Sequence, residues 1–140
     1  MDTRIPAFDK DHDALMPGFY RSGTEGDVIV YDVRVCRPNC GAFIPPPALH
    51  SVEHMLAAAL RNGAYGKQIV YFGPMGCRTG FYLLMRAELA EATDALRNAA
   101  KTTLDYGEVP GADKKSCGNY LEHDLADAKI YISKILELLH

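Results

Sequence analysis

His50, Glu53 and His54, in "HSVEHMLAAALRN", set two imidazoles four residues apart with a carboxylate between them. On a helix, residues i and i+4 stand one turn apart on the same side. The two rings can therefore reach a single metal ion while Glu53 serves as general acid or base. At about 100° per residue, Val52, Met55, Leu56, Ala59 and Leu60 make one apolar stripe, and the histidines point to nearly the opposite side. That side also carries Ala57 and Ala58, where a solvated face usually carries Lys, Glu or Gln, so it reads as covered or as a cavity wall. A solvated face with two surface histidines stays open as the plainer alternative.

Cys117, in "KKSCGNY", is the candidate third ligand: a loop thiol with Lys114 and Lys115 upstream suits a metal-bound sulfur. Two histidines and a cysteine leave one coordination position open, the mark of a catalytic site as opposed to a closed structural one. The same His-x-x-Glu-His pattern occurs in inverted zinc proteases, so metal-dependent peptide hydrolysis is one hypothesis and metal binding without turnover another. Cys77 lies in "GPMGCRTG" next to Arg78, and its role stays open among catalysis, metal binding and plain packing. Cys36 reads as structural and Cys40 is unassigned, because no second pair remains to complete a zinc site with them. His123 precedes a helix start and reads as a local hydrogen-bonding residue, and His140 as a chain end.

These residues need elements to hold them. "GDVIVYDVRV" places Ile29, Tyr31, Val33 and Val35 on one face and Asp32 and Arg34 on the other, the alternation of a half-buried strand, with "FYRS" at Phe19 as its candidate neighbour. "KQIVYF" and "FYLLMR" are β-branched and aromatic runs joined by the Cys77 loop, too short for a parallel crossover and suited to a hairpin. "IPPP" breaks the chain just before the histidine helix. A second helix is expected from about Glu88 to Leu104, ended by Gly107 and Pro110, and a third from Asp124 as N-cap, with Leu125, Ala128, Ile132, Ile135, Leu136 and Leu139 as its apolar face. The expected fold is an α+β domain: a small antiparallel sheet with helices packed on one face, carrying the inverted metal motif on its first helix.

The 140 residues suit one catalytic domain spanning 1–140. A formal charge of -3 gives no electrostatic reason to expect nucleic acid as a partner. The first residues carry acids and no apolar core, and no window approaches the ~18 apolar residues of a membrane span, so neither signal peptide nor anchor is expected. A cytoplasmic location follows, where the four cysteines stay mostly reduced.

"HSVEHMLAAALRN", "GPMGCRTGFY" and "CGNYLEHDLADAK", in this order and spacing, resemble the S-ribosylhomocysteine lyase (LuxS) family, and "FDKDH" and "VRVCRPN" match its N-terminal segments. The likeness covers nearly the whole chain. It implies cleavage of the thioether of S-ribosylhomocysteine to homocysteine and 4,5-dihydroxy-2,3-pentanedione, the precursor of the quorum-sensing signal autoinducer-2. It implies one divalent metal per subunit on His50, His54 and Cys117, usually iron(II), with zinc or cobalt as substitutes. Cys77 would be the base and Glu53 the proton shuttle, with His12, Arg34 and Arg78 as substrate contacts, in a homodimer whose active sites lie at the interface. Three departures stand out. The family more commonly shows serine where Ala7 stands, and Asp-x-Ser where this chain has Tyr71, Phe72 and Gly73, so the amino-acid end of the substrate is expected to be held differently.

Overall fold

A computed structural model describes residues 2–139, and His140 lies outside them. Strands β1 (Gly18–Glu25), β2 (Val28–Arg34), β3 (Ile69–Pro74) and β4 (Gly80–Met85) form one antiparallel sheet in the order β1-β2-β4-β3. Helix α1 (Pro46–Arg61) lies between β2 and β3 in the chain; α2 (Leu89–Thr103) and α3 (Leu125–Glu137) follow the sheet. The expected hairpin and all three helices are present, and β1 runs further than the "FYRS" stretch suggested.

Local chemistry sets the helix starts. Pro46 opens α1, where its missing N–H costs no helical hydrogen bond and its fixed φ suits the first turn. At α3 the Asp124 carboxylate accepts the Asp127 N–H at 2.9 Å, satisfying one of the free donors at the helix start.

Cross-strand pairs sort the two faces of the sheet. Val33 pairs with Phe81, Tyr31 with Leu83 and Ile29 with Met85, all buried against Val52, Met55 and Leu56 of α1, Leu96 of α2 and Ile132 and Ile135 of α3. Each large apolar side chain so buried contributes about 1.5–3 kcal/mol. Tyr31 keeps its hydroxyl satisfied in this core by donating to the Ala87 carbonyl at 2.6 Å. On the opposite face Asp32 pairs with Tyr82 and Arg34 with Gly80. Strand alternation marks Asp32 and Arg34 as non-core, yet their side chains are 0% and 3% exposed. The N-terminal segment is the cause: Lys10 Nζ reaches Asp32 Oδ2 at 3.0 Å, and residues from Ile5 to His12 help wall the space in front of this face.

Gly80 permits a close strand approach that any side chain would block. A Cβ there would overlap the Val33 carbonyl and lie 2.9 Å from the Arg34 Cα. Among the described residues, no helix is long and apolar enough to cross a membrane.

Candidate metal centre and substrate cavity

The apolar stripe of α1 is buried in the core, which turns His50 and His54 toward the loop between α2 and α3. There they meet Cys117 and His123, and one ligand atom from each of the four residues lies within 4.8 Å of all the others. His50 Nδ1 donates to the Glu122 carbonyl at 3.0 Å, with the Glu122 carboxylate 3.4 Å from the same nitrogen. His54 Nδ1 donates to the Pro110 carbonyl at 2.8 Å. Both rings thus leave Nε2 free with its lone pair, the arrangement that orients a metal-binding imidazole. His50 Nε2 is 3.4 Å from Cys117 Sγ. Metal–sulfur and metal–nitrogen bonds of about 2.3 and about 2.1 Å in a tetrahedral site separate the two donors by about 3.6 Å, so the residues fit a bound zinc-like ion. Burial, and next the neighbouring His50 and His54, hold His123 below the ordinary imidazole value.

The loop that delivers Cys117 is built on Asp113. Its carboxylate accepts the backbone N–H groups of Lys115 and Ser116 and the Ser116 hydroxyl at 2.9 to 3.0 Å, and its carbonyl accepts the Cys117 N–H. The Ser116 hydroxyl, then the Ser116 N–H, holds the Asp113 carboxyl below its usual range. Gly111 turns with φ 65, a conformation that side chains resist, one residue after the carbonyl that fixes His54.

A cavity of about 530 Å³ opens on the outer face of the sheet, lined by Lys10, His12, Asp32, Arg34, Cys77 and Tyr82 among others. Arg34 Nη1 donates to Thr79 Oγ1 at 2.8 Å, and Cys77 Sγ lies 3.0 Å from the same oxygen, so one hydroxyl links the guanidinium to the thiol. Asp32 Oδ2 takes both Lys10 and Arg34, at 3.0 and 3.1 Å. Two buried atoms here have no hydrogen-bond partner among the described residues: Asp32 Oδ1, an acceptor, and Arg34 Nε, a donor.

A family model described as S-Ribosylhomocysteinase (LuxS) matches residues 5–139. The S-ribosylhomocysteine lyase of Borreliella afzelii is 41% identical over 98% of this chain and 92% of its own length. Those of Clostridium acetobutylicum and Phocaeicola vulgatus are 40% and 41% identical, over 97% and 95% of this chain and 91% and 90% of theirs. This chain belongs to the S-ribosylhomocysteinase (LuxS) family.

Set against the expected LuxS site, the residues fall into two groups. His50, His54 and Cys117 come together, with Glu53 half-buried beside them on α1 and outside the four-atom cluster. His12, Arg34 and Cys77 come together in the cavity, whose lining contains none of the cluster residues. Arg78 joins neither group: with φ 59 it sends Nη1 to the Ile44 carbonyl at 3.1 Å and lays its guanidinium 5.7 Å from the Phe43 ring centre. His123, expected to bond locally at its helix start, instead meets Ser51 of α1, 72 residues away, and enters the candidate metal cluster. Lys10, Asp32 and Thr79 escaped sequence reasoning; the pair of charges in "DVR" on the non-core side of a strand was the available signal. The departures from the LuxS pattern at residues 71 and 73 are coupled, since a Cβ on Gly73 would run into the Tyr71 ring that lies across it.

Proposed function

We propose that this chain is a metal-dependent lyase that cleaves S-ribosylhomocysteine to homocysteine and 4,5-dihydroxy-2,3-pentanedione, acting as one catalytic domain of a cytoplasmic homodimer. Membership of a family whose relatives carry the S-ribosylhomocysteine lyase name supports the reaction. The observation that carries the reading for this chain is a pair of unpartnered buried atoms on two charged residues, Asp32 and Arg34, that help line the cavity. Asp32 Oδ1 lacks a donor and Arg34 Nε lacks an acceptor, and both are buried. Buried polar groups left unpaired cost about 1–3 kcal/mol each. An amino-acid terminus carries partners of both kinds, an ammonium for an acid such as Asp32 and a carboxylate for a guanidinium such as Arg34, which matches the homocysteine end of the substrate. This pair also offers a way of holding that end in a chain with Ala7, Tyr71 and Gly73 at the departing positions.

A thioether leaves readily only when its sulfur lies β to a carbonyl, so the sugar carbonyl must first move along the chain. A divalent ion on His50, His54 and Cys117, iron(II) by preference with zinc or cobalt as substitutes, supplies Lewis-acid polarisation of substrate oxygens, which acidifies the adjacent C–H. Cys77 takes the proton from one carbon and returns it to the next, its sulfur positioned by the Thr79 hydroxyl. Glu53 carries protons between substrate oxygens and onto the departing sulfur. In the final step the C–S bond breaks, its electron pair stays on sulfur, and homocysteine leaves as the thiol.

The homodimer is supported by what one chain keeps apart. Cys77 and the substrate contacts line one cavity, the metal ligands lie elsewhere, and Ile5 and Phe8 at the cavity wall are 49% and 54% exposed. Pairing the cavity of one subunit with the cluster of the other completes the site and covers those side chains.

Anaerobic turnover of S-ribosylhomocysteine by the iron(II)-loaded protein, followed by thiol release, tests the reading. The expected result is release that disappears in Cys77→Ala. A folded, iron-loaded chain that releases no thiol overturns it.

A further inference from the structure

The three imidazoles around Cys117 are not equivalent. His50 and His54 turn Nδ1 toward carbonyls, which only accept, so Nδ1 carries the hydrogen and Nε2 keeps its lone pair. His123 turns Nδ1 toward a hydroxyl, Ser51 Oγ, at 3.0 Å. Ser51 is 0% exposed, and its oxygen already accepts the Asp124 N–H at 2.9 Å. Its own hydroxyl hydrogen then has one acceptor among its described partners, the Nδ1 of His123. Pointing that hydrogen anywhere else leaves a buried donor unsatisfied. With Nδ1 accepting, the neutral ring carries its hydrogen on Nε2, the nitrogen that lies 3.7 Å from Cys117 Sγ.

We propose that His123 is a positioning residue and not a ligand: Ser51 fixes its tautomer so that Nε2–H donates to the Cys117 sulfur. The same sulfur also accepts the Asn119 N–H at 3.4 Å. Two donors on one sulfur hold its direction and draw off part of the electron density it would otherwise give the metal, which leaves the ion a stronger Lewis acid. The coordination position that a third imidazole would fill stays open for substrate. The His123 ring lies tilted by 32° against that of His50, with ring centres 4.1 Å apart.

The inference rests on the proposed metal centre and is read without turnover. In the zinc-loaded full chain, long-range nitrogen–proton correlation of the imidazoles is expected to show His123 with its hydrogen on Nε2. His50 and His54 are expected to show theirs on Nδ1, with Nε2 shifted by the metal. In the cobalt(II) protein, His123→Phe is expected to move the sulfur-to-cobalt band to longer wavelength and to weaken cobalt binding by about 10- to 100-fold. His123→Gln, whose amide N–H can replace Nε2–H, should bring the band back toward its original position. A His123 hydrogen found on Nδ1, or a band unmoved in His123→Phe, overturns the inference alone. A chain that binds neither zinc nor cobalt overturns the metal reading together with it.

Discussion

Cys77 and Cys117 are both cysteines in loops, and their surroundings give them different work. Cys117 is buried among three imidazoles, whereas Cys77 is exposed at a cavity and touches a threonine hydroxyl. Replacing Cys117 with Ala is expected to weaken metal binding itself, measured by competition with a chelator, because a soft donor is lost from a set of three. Replacing Cys77 with Ala should leave metal content unchanged and lower kcat by about 10²–10⁴-fold, the usual contribution of one acid–base group. Metal loss from Cys77→Ala would contradict the separation seen here. The sequence carried these two assignments only through the motifs around each cysteine. It was silent on Asp32, because alternation along a strand says which side chains leave the core and cannot say what covers them afterwards. The covering segment, Ile5 to His12, has no periodicity to read.

Elements with a repeating pattern were legible, and the loop that closes the metal cluster was not. The apolar periods of "DVIVYDVRV" and of α1, α2 and α3 each follow from burying one face, and the structure buries those faces. Residues 104–124 have no period, and their course depends on side-chain-to-backbone bonds around Asp113 and on the left-handed turn at Gly111. That is why the approach of His123 to His50 and His54 had no sequence signal beyond its place six residues after Cys117. Asp113 is surface-exposed and its hydrogen bonds stay within one loop, so Asp113→Ala should move the midpoint of a denaturant titration little. Metal affinity should nevertheless fall by about tenfold or more, because the Cys117 loop loses its side-chain acceptor. Gly80→Ala makes the opposite prediction. A methyl group there meets the β2 backbone and not a movable side chain, so a loss of about 1–3 kcal/mol is expected from thermal or denaturant unfolding.

At the scale of the whole molecule, the question is whether one chain contains a complete site. The cavity holding Cys77, His12 and Arg34 and the cluster of His50, His54 and Cys117 share no lining residue. If a two-fold pair brings the cavity of each subunit against the cluster of the other, each site takes Cys77 from one chain and its metal ligands from the partner. Chains carrying Cys77→Ala and chains carrying Cys117→Ala are each expected to be inactive as pure dimers. Unfolded together and refolded at equal amounts, half of the dimers are mixed, and in each mixed dimer one site receives an intact Cys77 and an intact cluster while the other receives both defects. Activity should then return to about a quarter of the unsubstituted value under random pairing. Were both groups supplied by the same chain, every site in every dimer would carry one defect and mixing would restore nothing. The refolded mixture therefore separates a shared site from two self-contained ones by a single rate measurement.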